Sequence, residues 1–442
     1  MQFDDALRYL LSLGHETAAI KLGLANTEAL LDALGRPQDA FASVQIAGTN
    51  GKGSTAAMLD RMMRAAGVRT GLYTSPHLVS ITERIRIAGN KIAREDFARV
   101  VSRTRAAALD VERATGALPT FFEQVTAAAL VAFREARIKL AILETGLGGR
   151  LDATTVAGAS VVAITPVALD HQEYLGETLA EIAAEKAAII RRGIHAAVVA
   201  PRQSPEAEAV IRRRCADCGV APRFATRDIR VEGATPDGRL RASFTTRRDT
   251  YENVTLALRG RHQTDNAAVA IELAEVLCEQ GFPVSRAAII EGLERAEHDG
   301  RLEMLADVAP PLLLDGAHNP AGARALRDYL GEFVHAPVSM IFGAMRDKEL
   351  DEIGATLFPF ARRLILTQPA NPRAASPVDL MNAIPPATDS STITLAPSVR
   401  EALRVARAQT PSGGLICVTG SLYLVGEVKS ILEMEGVERS QG

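Results

Sequence analysis

The chain has 442 residues, which at about 150 residues per domain makes two or three domains. Its 50 Lys and Arg against 53 Asp and Glu leave a net charge of −3, so no global field draws it to nucleic acid or to a membrane surface. A hydrophobic share of 47% with 23% charged residues excludes a disordered chain, and four cysteines are too few for a disulfide framework at this length.

The opening MQFDDALRYLLSL carries Asp4 and Asp5 where a secretory leader would carry basic residues. The uncharged stretches 153–169 and 408–426 are broken by Pro166 and Pro411, so neither predicts a membrane span, and the expected location is the cytosol. Residues 43–47 (SVQIA) predict a short buried strand ending at a glycine cluster, and 54–66 predict a helix closed by Gly67. A strand over 68–73 follows, then a helix over 122–137 and strands over 140–143 and 161–165. A helix over 178–190 and a strand over 196–200 complete the run. This alternation points to βαβ units and a mostly parallel sheet. From 223 to 258 the pattern shifts to short alternating pieces, among them 240–244 and 253–258, which predict hairpin strands added to the same domain. Helices return over 264–280 and 285–295. The polar stretch EHDG at 297–300 marks the expected boundary between a domain 1–296 and a domain 301–442. Beyond it, strands over 312–314, 338–342, 364–366 and 415–418 with helices over 320–333 and 399–408 predict a smaller, Rossmann-like α/β domain. The Pro-rich stretch 368–386 predicts a surface loop.

Between a predicted strand and a predicted helix stands GTNGKGS, residues 48–54. Glycines let backbone N–H groups approach phosphate oxygens, the helix start adds oriented dipoles, and Lys52 adds a point charge at the β- and γ-phosphates. The spacing departs from G-x-x-x-x-G-K-[ST], because Gly53 separates Lys52 from the hydroxyl of Ser54. Thr49, Asn50, Gly51, Lys52, Gly53 and Ser54 are the expected nucleotide-binding set, and the first domain is expected to be P-loop ATPase-like. Ser75, Glu144 and His171 each follow a predicted strand, and in an open α/β sheet such loops gather at the carboxyl edge, where ligands bind. Alone, Glu144 also reads as a capping carboxylate and His171 as a packed or solvated imidazole. Lys186 also reads as a helix-surface Lys beside Glu181 or Glu185. DGAHNP, at 315–320, also reads as a helix start with Asn319 as cap and Pro320 in the first turn.

GTNGKGS resembles the loop of the ATP-dependent amide ligases that include the cell-wall Mur ligases, and its Gly after Lys resembles the folylpolyglutamate and dihydrofolate synthases. Other segments agree in order and spacing: YTSPHL at 73–78, FFEQ at 121–124, LETGLGGRLDATT at 143–155 and ALDHQEYLG at 168–176. EKAAII at 185–190, GRHQTDNAAVA at 260–270, GRLE at 300–303, LDGAHNP at 314–320 and VTGSLYLVGEV at 418–428 follow. The resemblance spans nearly the whole chain.

The resemblance implies an ATP-dependent ligase that adds L-glutamate to dihydropteroate, forming dihydrofolate, and to tetrahydrofolates through an acyl phosphate. The alternative is a monofunctional folylpolyglutamate synthase. A carboxylate is a poor electrophile, so such a ligase must position and neutralise a transferring phosphoryl group. By resemblance, Ser75, Glu144 and His171 hold one magnesium, and Lys186, carbamylated by carbon dioxide, holds a second. Lys52, Lys186, Asp315 and His318 are the implied catalytic residues, with Asn266, Arg301 and Asp315 on the nucleotide. The pterin residues map to Thr120, Phe121, Phe122, Glu123, Leu151, Asp152 and Ala153. They also map to Ile20, Lys21 and Leu22, where Lys21 stands in place of the family's usual Asp.

The lone Cys215-x-x-Cys218 lacks further ligands for zinc, and Arg191–Arg192 and Arg212–Arg214 read as solvated helix faces. A Mur-type ligase acting on a UDP-sugar peptide would carry an additional N-terminal domain, whereas 42 residues precede the first predicted strand here. A guanine-reading N-K-x-D is not met by Asn90-Lys91-Ile92-Ala93, which argues against a nucleotide switch. The expectation is a monomer with small-molecule substrates and neither nucleic acid nor membrane as partner.

Overall fold

Short, mostly apolar runs, buried on both faces, build the inner strands of the first sheet of the computed structural model, which describes residues 1–14, 23–386 and 388–441. Its strands are β1 (Ala42–Ala47), β2 (Thr70–Tyr73), β3 (Ile85–Ile87), β4 (Asn90–Lys91), β5 (Leu140–Glu144), β6 (Val161–Ile164), β7 (Ala196–Val199) and β8 (Pro222–Phe224). They lie in the order β4-β3-β2-β5-β1-β6-β7-β8, parallel from β2 to β8 with an antiparallel hairpin at one edge. Side chains alternate between faces. Val44, Ile46, Leu140 and Ile142 pack on helices Lys52–Ala65 and Gln263–Glu279. On the opposite face Ala141 and Leu143 meet helices Arg94–Thr115 and Phe121–Glu135, and Val162 and Val199 meet Leu179–Ala187 and Pro205–Cys218. Each fully buried Val, Leu or Ile adds about 1.5–3 kcal/mol. Because β5 and β6 flank β1 on opposite sides, the chain changes direction there, and the loops after β1, β5 and β6 open into one crevice.

A three-stranded antiparallel sheet of β9 (Ile229–Ala234), β10 (Leu240–Thr245) and β11 (Thr250–Thr255) joins this domain. The expected strand over 253–258 is displaced three residues toward the N-terminus, because Leu256 and Leu258 are core residues that lie beyond the ladder. The second domain is a six-stranded sheet of β12 (Glu303–Leu305), β13 (Leu312–Leu314), β14 (Val338–Phe342), β15 (Arg363–Leu366), β16 (Ile393–Leu395) and β17 (Leu415–Thr419). Its order is β12-β13-β17-β14-β15-β16, and only β12 is antiparallel. Helices Pro320–Phe333 and Leu350–Leu357 cover one face, and Val399–Gln409 and Leu422–Gln441 the other. The stretch 368–386 is more than a surface loop: Ala374, Ala375 and Leu380 are fully buried, and Pro377–Met381 is a short helix capped by Ser376. The first core ends at Ala296 and the second begins at Leu302. Among the described residues no helix is long and apolar enough to cross a membrane.

Candidate active site

The loop after β1 is held from outside. Thr49 and Asn50 donate their N–H groups to Pro166 O at 3.0 and 3.2 Å, and Thr49 Oγ1 donates to Ala168 O at 3.0 Å. Gly51, at φ 85°, opens helix Lys52–Ala65 with no side-chain cap, so the first-turn N–H groups face the crevice as an anion site. Lys52 Nζ folds back onto Gly48 O and Thr49 O at 3.1 and 3.2 Å. Lys186 Nζ donates to the same Gly48 O at 2.9 Å. Burial, followed by the charge of Lys52, drops the Lys186 ammonium to a pKa of about 7. The surface reading of Lys186 therefore fails, since this side chain is buried beneath the loop.

Glu144 ends β5, buried, and accepts the N–H of Ser75 at 3.3 Å. Burial raises its pKa, and the cations of Lys52 and Arg301 oppose that shift. His171 sits in the left-handed region at φ 51°, and burial lowers its pKa to about 4, which leaves a neutral imidazole. Its neighbour Asp170 gathers the second domain. Lys348 Nζ donates to Asp170 Oδ1 at 2.7 Å, Asn319 Nδ2 donates to Oδ2 at 3.0 Å, and His318 Nε2 lies 3.6 Å from Oδ2. Burial opposes ionisation of Asp170, yet the His318 hydrogen bond and the surrounding cationic groups hold it well below the usual carboxylate range. Asn319 also exchanges hydrogen bonds with Asn50 at 3.1 and 3.4 Å, and it caps helix Pro320–Phe333 through Gly322 N at 2.8 Å. The cap and cleft readings of DGAHNP both hold.

These groups line a cavity of about 370 Å³ that contains all of residues 48–54 together with Ser75, Glu144, His171, Lys186, Asn266, Arg301, Asp315 and His318. Asp315 lines it but spends its oxygens on Leu302 N and Ala317 N, both at 2.9 Å, so it shapes the turn beside Arg301. His262, Gln263, His298 and Arg202 also line it, and the sequence reading missed them. Burial lowers the pKa of His262 to about 4 and of His298 to about 3.

A second cavity of about 410 Å³ adjoins the first and shares Ser75, Pro76, Gly146, His171, His318 and Leu422 with it. Thr120, Phe122, Glu123, Leu151, Asp152 and Ala153 line it as expected. Phe121 does not. It turns into the core beneath the Arg84 guanidinium, 5.4 Å from its ring centroid, because adjacent helical residues point about 100° apart. The two carboxylates expected for substrate are held by their own turns. Glu123 Oε2 accepts Thr120 N at 2.7 Å in a capping box, and its Oε1 accepts Thr27 Oγ1 at 2.8 Å. Asp152 Oδ2 accepts Gly146 N and Leu147 N at 2.8 and 3.0 Å, and its Oδ1 accepts Thr154 N at 3.0 Å. Ile20, Lys21 and Leu22 lie outside the described residues.

Magnesium suits the donors present. Glu144 is a buried carboxylate with one long hydrogen bond, His171 is neutral, and Ser75, whose N–H makes that bond, lines the same crevice. Among the described residues no three His, Cys, Asp or Glu side chains gather as a metal site, in keeping with a set that has only two of those types.

Residues 46–274 match the Mur ligase middle domain, and residues 300–422 match the Mur ligase, glutamate ligase domain. A dihydrofolate synthase/folylpolyglutamate synthase of Bacillus subtilis is 34% identical over 420 residues, 94% of this chain and 96% of that protein. A probable bifunctional folylpolyglutamate synthase/dihydropteroate synthase of Halobacterium salinarum is 36% identical over 434 residues, 97% of this chain and 52% of that protein. The chain thus spans about half the length of that relative. The folylpolyglutamate synthase of Mycobacterium tuberculosis, complexed with ADP, superposes with a TM-score of 0.89 at 31% identity, covering 97% of this chain and 98% of that one. With the glycine loop, the crevice and both domains in agreement, the chain belongs to the Mur ligase family, and within it to the folylpolyglutamate and dihydrofolate synthases.

Proposed function

We propose that the chain is an ATP-dependent ligase of two domains, 1–296 and 301–442, acting as a cytosolic monomer that joins L-glutamate to dihydropteroate and to tetrahydrofolates. One observation carries this reading: the glycine-loop cavity and the second cavity share a wall at Ser75, Gly146, His171 and His318. A nucleotide with its phosphates on residues 48–54 and a pterin acid between Phe122 and Leu151 would bring γ-phosphate and carboxylate together there. The carboxylate oxygen attacks the γ-phosphorus, ADP leaves, and the acyl phosphate then loses phosphate to the amine of L-glutamate. Lys348, bonded to Asp170 beside the shared wall, and Arg373 also line the second cavity and bring positive charge for the carboxylates of L-glutamate.

His318 serves the amine. Its Nδ1 lies 2.7 Å from Gly316 O, so Nδ1 keeps its hydrogen there and Nε2, 3.6 Å from Asp170 Oδ2, is the nitrogen at which a second proton comes and goes. A proton taken from the attacking amine at Nε2 is then stabilised by Asp170. Ser75, Glu144 and His171 would hold one magnesium, which supplies charge neutralisation at the phosphate oxygens. Lys186, with a pKa of about 7, is about half unprotonated at neutral pH. Its amine can attack carbon dioxide and release a proton, leaving a carbamate that would hold a second magnesium. Measuring ADP release with dihydropteroate or tetrahydrofolate, with and without L-glutamate, tests the reading. ADP release with both acids that depends on L-glutamate is expected. Release with tetrahydrofolate alone would reduce the activity to folylpolyglutamate synthesis.

A further inference from the structure

Two glycines flank Lys52, and each makes room for one particular side chain. A Cβ on Gly51 would stand 2.1 Å from Asn266 Oδ1, and a Cβ on Gly53 would stand 2.6 Å from His298 Cε1. Those two side chains are the ends of a single hydrogen-bonded line. Asn266 Nδ2 donates to Gln263 Oε1 at 2.9 Å, Gln263 Nε2 donates to Ser54 Oγ at 3.3 Å, and Ser54 Oγ lies 3.2 Å from His298 Nδ1. Gln263 Nε2 is also 3.2 Å from His262 Nε2. An amide N–H only donates, so Ser54 Oγ accepts from Gln263, and its own hydrogen is left for His298 Nδ1.

We infer that Asn266, Gln263 and His298 form a positioning relay that turns the Ser54 hydroxyl hydrogen away from the cavity, so that Ser54 presents only an oxygen lone pair to a magnesium–nucleotide complex. The inference rests on the nucleotide reading of this cavity. A hydroxyl whose hydrogen is committed cannot donate to a phosphate oxygen, but it remains a hard oxygen donor for a cation. The relay accounts for the glycine between Lys52 and Ser54, because any side chain at position 53 would strike the imidazole that holds the hydrogen. It also ties the loop to the segment joining the two domains, since His298 is two residues from Gly300, whose O accepts Gly316 N at 2.9 Å.

Two measurements test it. In the ligand-free protein, nitrogen-15 spectra of the imidazoles should report His298 as the Nε2–H tautomer with a hydrogen-bonded Nδ1, and Ser54→Ala should shift that Nδ1 signal. An Nδ1–H tautomer, or a signal indifferent to Ser54→Ala, overturns the relay whether or not the protein binds nucleotide. In calorimetric titrations with magnesium ADP, His298→Leu should bind about three- to tenfold more weakly, the worth of one hydrogen bond. His298→Asn, whose Oδ1 stands near the place of Nδ1, should recover most of that loss. ADP in excess chelator should bind both variants alike. Equal weakening by Leu and Asn, or a loss that persists in chelator, contradicts the relay.

Discussion

On the glycine-loop side, two buried charged groups are held by partners far away in sequence: Lys186 by Gly48 O, and Asp170 by Lys348 and Asn319 of the other domain. Across the shared wall, Glu123 is held largely by its own capping box and Asp152 by its own turn. The contrast separates two uses of buried polar groups. Local hydrogen bonds fix the shape of a pocket before any ligand arrives, whereas long-range ones make a site that is complete only when two domains meet. The loop side also carries Lys186, its pKa lowered to about 7, with His171, lowered to about 4, on the shared wall.

The largest expected effect falls on the loop side. Lys52→Ala should reduce ADP release about a thousandfold, the order seen when a preorganised cation or donor is removed. Its thermal midpoint should stay near the parent's, since Nζ touches only carbonyls of its own loop. Asp170→Asn should cost about 3 kcal/mol in denaturant unfolding, because it leaves the buried Lys348 ammonium with only the more distant Asp347, at 3.7 Å. Adding Lys348→Met should return part of that loss, and no recovery would mean that the pair does not bind the domains together.

Lys186 sharpens the comparison through pH. Its pKa falls from 10.5 to about 7 on folding, so between those values the unfolded chain holds more protons and stability rises with pH. Lys186→Met should flatten that rise, be more stable than the parent at neutral pH, and be inactive. A parental pH–stability slope in the variant would place the titration elsewhere.

On the second side the effects are smaller and structural. Asp152→Ala orphans the N–H groups of Gly146, Leu147 and Thr154 and should cost about 1–3 kcal/mol of stability along with dihydropteroate affinity. Thr27→Val removes one donor from Glu123 and should cost about 1 kcal/mol. A substitution at Asp152 that weakened dihydropteroate binding without any loss of stability would return its carboxylate to direct substrate contact.

The alternation of strands and helices was legible because the inner strands are short, mostly apolar runs, and helix Pro320–Phe333 was legible from its Asn319-Pro320 start. Helix Arg94–Thr115 and strands β3 and β4 went unread. The apolar face of the helix is largely Ala, Val and Thr spread among charged residues, and the strands are three and two residues long at a sheet edge. Residues 48–54, Glu144 and His171 were readable as motif positions at or after strand ends, and Lys186 only through the resemblance carried by EKAAII. Asp170 and Lys348 were not, since their pairing joins loops of separate domains 178 residues apart. Phe121 and Phe122 show the limit of motif transfer: adjacent in one segment, one lines the cavity and the other fills the core.

The shared wall between the cavities is most directly tested by oxygen-18 in the carboxylate of dihydropteroate. If that carboxylate attacks the γ-phosphorus at the wall formed by Ser75, Gly146, His171 and His318, one labelled oxygen must leave in the released phosphate when L-glutamate is joined. One oxygen-18 per phosphate is the result the account predicts. Phosphate free of label, with the dihydrofolate product still formed, would contradict it.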